Sequence, residues 1–96
     1  MTIFAVLMPM PQPALIDEIT KSFPDNYLSL NQTQYLISTR GTVVELATKL
    51  GIYDEKHPEK QATGSAVLLA TSSYSGRAPT AVWDWMKDKL ESAPSG

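Results

Sequence analysis

Cysteine is absent from the 96-residue chain. Disulfides, thiolate-bound metal and a cysteine nucleophile are excluded with it. A chain without disulfides fits a reducing compartment, and a cytoplasmic location is the expectation. Histidine is nearly absent too, since His57 is the only one. That removes two-histidine metal motifs, and it removes histidine-paired catalysis outside the loop around residue 57. His57 sits among Asp54, Glu55 and Glu59, in a polar segment that offers no fixed ligand geometry. A solvated histidine is expected there, and no metal.

Basic charge is also scarce. Eight Lys and Arg against ten Asp and Glu give a net charge of −2, and the basic residues form no long run. Duplex nucleic acid is held by many cations set against phosphates, so this composition argues against it as a partner. Long apolar runs are missing as well. The N-terminal run Ile3 to Met8 lacks a basic leader and is ended by Pro9. It falls far short of a membrane span, and no membrane partner is expected. It reads as a buried strand covered on both faces. The glycine spacings of a P-loop or a dinucleotide fingerprint do not occur, and no cofactor is expected.

What is present is globular: 43% of residues are hydrophobic and 19% charged. This suits a single domain, here residues 1–91, with 92–96 as a flexible tail. After the first strand, Pro13 suits the first turn of a helix. Leu15, Ile16, Ile19 and Phe23 recur at helical spacing. Asp17 and Glu18 are expected near the positive end of its dipole and Lys21 near the negative end, and Pro24 stops it. Tyr27–Leu30 and Tyr35–Thr39 read as a hairpin about Asn31, Gln32 and Thr33. Thr42 and Glu45 form a capping box for a second helix. Its stripe is Val43, Leu46, Ala47 and Leu50, and Gly51 and Ile52 close it. Tyr53–Gly64 reads as an exposed loop, Ser65–Thr71 as a second buried strand, and Ser72–Pro79 as a loop of small residues. Thr80–Glu91 reads as an amphipathic helix. This order predicts an α+β fold, a ferredoxin-like βαββαβ sandwich with an added C-terminal helix. That helix would cover an edge, cover the open face, or meet a partner.

The loop before the last helix is the place for ligand chemistry. Ser73, Ser75, Gly76 and Arg77 offer hydroxyls, a close-approaching backbone and a guanidinium, ahead of a helix start with unpaired N–H groups. Such a set suits a small anionic ligand, a phosphate or nucleotide. The alternative is a plain connection whose serines satisfy the backbone. Ser38 to Thr42 makes a similar junction. If strands three and four run antiparallel, the two junctions lie at opposite ends of the sheet and form no common site. No catalytic residue is assigned. Asp17 and Glu18 point apart, and Asp84 and Asp88 share a solvated helix face. On the last helix Val82, Trp83, Met86 and Leu90 cluster on one side, with Trp85 at the edge. Trp83 reads as core. Trp85, together with Val82, reads either as packing or as an interface anchor.

Over residues 2–71 the element order and size resemble the small ferredoxin-like proteins related to the CRISPR-associated endoribonucleases. The resemblance implies a homodimer built around the sheets. It also implies a metal-dependent nuclease aspartate near the end of the first strand. The matching stretch here, Leu7, Met8, Pro9 and Met10, carries no carboxylate. Tyr74-Ser75-Gly76-Arg77-Ala78, followed by Val82-Trp83-Asp84-Trp85, is similar to short bacterial proteins, and that similarity brings no activity with it. Three functions are therefore weighed. The first is a non-enzymatic homodimeric protein-interaction module. The second is a small phosphate or nucleotide binder at residues 72–79, and the third a divergent metal-dependent nuclease.

Overall fold

A computed structural model gives the fold of residues 2–54, 56–57, 59, 62–71 and 80–91; for residues 90 and 91 the description covers the backbone alone. The elements in chain order are β1 (Thr2–Leu7), α1 (Pro13–Ser22), β2 (Tyr27–Ser29), β3 (Gln34–Thr39), α2 (Val43–Leu50), β4 (Val67–Thr71) and α3 (Thr80–Glu91). The four strands make one sheet in the order β2-β3-β1-β4. Every pairing in it is antiparallel. The fold class is α+β, as the element pattern predicts.

Side chains alternate across a strand, and β1 shows what that alternation does here. Phe4, Val6 and, just past the strand, Met8 join Leu15 and Ile19 of α1 and Leu46 and Leu50 of α2 in the larger core. Ile3 points the other way and meets Leu36 of β3 and Met86 of α3, with Ala5, Leu28, Val82, Trp83 and Trp85 packed around them. The sheet therefore lies between α1 and α2 on one face and α3 on the other. Of the three placements open to the last helix, the described residues take the cover of the second face. Lys89 fixes its far end by donating to the Asp25 carbonyl at 3.2 Å and to Asn26 Oδ1 at 3.0 Å.

The second helix forms where its end signals place it. Glu45 N–H donates to Thr42 Oγ1 at 3.2 Å, and Thr42 N–H donates to Glu45 Oε1 at 3.3 Å. Two otherwise orphaned donors are satisfied reciprocally. Gly51 ends the helix at φ 75°, a left-handed conformation that costs glycine little. Ile52 N–H then donates to the Ala47 carbonyl at 2.9 Å.

Three expectations need correction. Asp17 and Glu18 do not serve the dipole of α1. The helix starts at Pro13 and its first turn holds no acidic residue, and the dipole's influence falls off within one turn. The segment from Ser65 to Thr71 is not a strand buried on both faces. Only Val67–Thr71 is strand, among the described residues β1 is its one neighbour, and Val67 and Leu69 are 57% and 49% exposed. The third concerns strand direction. β3 and β4 are each antiparallel to β1, so they run parallel to one another. Thr39 pairs with Thr2 and Thr71 with Ile3. Both strands thus end beside the start of β1, at the same end of the sheet.

Candidate functional site

Of the residues picked out from the sequence, Ser73, Ser75, Gly76 and Arg77 lie outside the described residues, as do the side chain of Leu90 and the tail 92–96. Val82 and Trp85 are half-buried on α3 and pack against the cluster of Ile3, Leu36 and Met86. Trp83 packs there too. Trp85 therefore joins the packing face rather than standing off it, because that face is wide enough to take residues on either side of Met86.

Arg40 is exposed at the shared end of β3 and β4 and borders a small hollow with Phe23, Thr39, Glu45 and Lys49. His57 is exposed, and its Nδ1 lies 3.5 Å from Glu59 Oε1. Among the described residues no group of three or more His, Asp or Glu side chains is placed to hold a metal ion. Asp17, Asp84 and Asp88 are exposed, while Glu18 accepts a hydrogen bond from Ser22 Oγ at 3.1 Å. No helix of the described residues is long and apolar enough to cross a membrane.

The feature that stands out is at the β4 edge of the sheet. Among the described residues seven large hydrophobic side chains are exposed: Leu7, Met10, Leu30, Val44, Tyr53, Val67 and Leu69. Five of them gather around β4. Leu7 is the register partner of Val67, and Leu69 is that of Ala5. By strand alternation Leu7, Val67 and Leu69 share the face that α3 covers. The helix packs over Ile3, Ala5, Leu28 and Leu36 and leaves these three side chains uncovered. On the opposite face Val44 and Tyr53 line an open groove of about 430 Å³ with Val43, Ala47, Ile52, Ala66 and Leu68. The strand between these two apolar surfaces, Val-Leu-Leu-Ala-Thr, holds no charge and no proline.

Natural sheets blunt exposed edges with charge, proline, bulges or a covering element. The described β4 strand carries no charge and no proline. The sequence offered one signal, the apolar run Ala66–Ala70, but such a run reads the same at a centre or an edge. Compared with protein-family models, with curated proteins and with solved structures, the chain matches none.

Proposed function

We propose that this chain is a non-enzymatic homodimeric interaction module built on a ferredoxin-like βαββαβ core with an added C-terminal helix. For the fold, the support is the order β2-β3-β1-β4 with antiparallel pairing throughout, together with two strand–helix–strand units whose helices share one face. For the function, one observation carries the reading. The exposed large hydrophobic side chains concentrate around one uncharged edge strand instead of scattering over the surface. Scattered apolar residues are ordinary, whereas a contiguous patch marks a place where another molecule sits.

The test is oligomeric state against concentration. In sedimentation velocity the average mass should rise from monomer towards dimer as concentration increases. Leu69→Lys should hold the chain monomeric, because it places a charge in the middle of the patch. A wild-type chain that stays monomeric up to about 1 mM, where a Kd would correspond to only about 4 kcal/mol, would sink the proposal.

A further inference from the structure

We propose that the second copy adds to the sheet directly, β4 against β4, antiparallel about a two-fold axis at Leu69. This rests on the homodimer reading and specifies its geometry. In that register Leu69 faces Leu69 of the second copy, Leu68 faces its Ala70, and Val67 faces its Thr71. The two four-stranded sheets become one continuous sheet.

β4 suits itself as a partner in three ways. A two-fold axis sets each residue against its symmetry mate, so any charge near the axis would meet its own sign. Val67–Thr71 has none. Strand addition also needs pockets for alternate side chains beside the backbone ladder. The groove lined by Val43, Ala47, Ala66 and Leu68 lies on the α2 face of β4. On that face Leu68 of one copy meets the smaller Ala70 of the other, so large opposes small beside the groove. On the α3 face the Leu69 pair continues the apolar surface of Val67 and Leu7, and Val67 against Thr71 is a β-branched pair of the kind that packs well across strands.

The contact area sets the strength. Five strand residues span about 17 Å. With side chains on both faces of the sheet the contact band is about 20 Å wide, giving roughly 350 Å² per partner against about 800 Å² for a standard stable interface. Pairing through β4 therefore belongs to the weak, concentration-dependent class.

The chain's lack of cysteine gives a direct test. Directly opposed residues on antiparallel strands have Cβ atoms about 4.5–5.5 Å apart, close to the span of a disulfide. Leu69→Cys should form a disulfide-linked dimer under mild oxidation roughly tenfold faster, or more, than Leu30→Cys, an exposed site that follows β2 at the opposite edge of the sheet, because pairing raises the local thiol concentration. Val67→Cys alone should link slowly, and a mixture of Val67→Cys and Thr71→Cys should link fast. If sedimentation shows a wild-type dimer and Leu69→Cys links no faster than Leu30→Cys, this geometry is overturned and the dimer stands. If Val67→Cys alone links as fast as Leu69→Cys, the register is overturned. If no dimer appears at any concentration, the homodimer reading falls and takes this geometry with it.

Discussion

The side-chain amide of Gln12 is clasped to the backbone of Ser65. Its Nε2 donates to the Ser65 carbonyl at 2.6 Å and its Oε1 accepts from the Ser65 N–H at 2.6 Å. Gln12 stands at the N-cap position of α1 but makes no capping bond with its side chain. Its amide instead acts like one residue of a neighbouring strand and holds the chain just before β4. Gly64 fits the same arrangement, since a Cβ there would lie 2.7 Å from Gln12 Oε1 and 3.1 Å from Leu15 Cβ. Removing both bonds with Gln12→Leu should cost about 1–2 kcal/mol, given about 0.5–1.5 kcal/mol net for each hydrogen bond. Urea unfolding measures the loss, and the Ser65 amide should exchange faster with solvent. A change below about 0.3 kcal/mol would show that the clasp contributes nothing beyond what water replaces.

Ser38 supplies the opposite case. It is 1% exposed on the α3 side of β3, and its hydroxyl has no hydrogen-bond partner among the described residues. A buried hydroxyl without a partner has lost its water and gained nothing in return. Ser38→Ala should therefore be neutral or should stabilise the fold by up to about 1 kcal/mol, with little cavity left by so small a change. A loss of more than about 1 kcal/mol on urea unfolding would mean that the hydroxyl is bonded in solution.

How much of this was legible in the sequence depends on whether the signal was local. The capping box of Thr42 and Glu45 and the stop at Gly51 are local, and α2 spans the residues they bracket. The hairpin strands appear at Tyr27–Ser29 and Gln34–Thr39, within a residue of their predicted ends. The status of β4 is not local. Ala66 to Ala70 shows the same apolar run whether one neighbour or two flank it, and only the pairing with β1 decides. The direction of β4 relative to β3 is likewise set by their common neighbour, β1. Trp85 falls between. Helical spacing puts it at the edge of the apolar stripe, and only the breadth of the surface formed by Ile3, Ala5, Leu28 and Leu36 shows that α3 packs with it. The exposed surface around β4 follows from all three placements together, so no single segment announced it.

The capping box of α2 gives a third prediction. Thr42→Ala removes the acceptor for Glu45 N–H and should cost about 1 kcal/mol. Glu45→Ala removes the return bond to Thr42 N–H. The double variant should cost less than the sum, because each single change already breaks the reciprocal pair. Strict additivity in urea unfolding would show two independent bonds instead of a box.

Met86 decides how firmly α3 is docked. It is 5% exposed between Ile3 and Leu36, whereas Val82, one turn earlier, is only half-buried. Truncation of a buried methionine to alanine removes apolar contact and leaves a void, at about 2–5 kcal/mol in well-packed cores. The cluster around Met86 is small and its neighbours Val82, Trp83 and Trp85 are only half-buried, so Met86→Ala should fall near the lower limit, about 2 kcal/mol. Val82→Ala should cost about half of that or less, in keeping with its partial burial. Trp83 and Trp85 sit on the same helix and report its docking directly. If α3 is part of the cooperative unit, tryptophan emission and far-ultraviolet circular dichroism will be lost together in both variants. If Met86→Ala shifts the emission to the red at denaturant concentrations that leave the sheet signal intact, α3 undocks on its own. The apolar surface around β4 would then extend across Ile3 and Leu36, and that variant should self-associate more strongly than the wild type, not less.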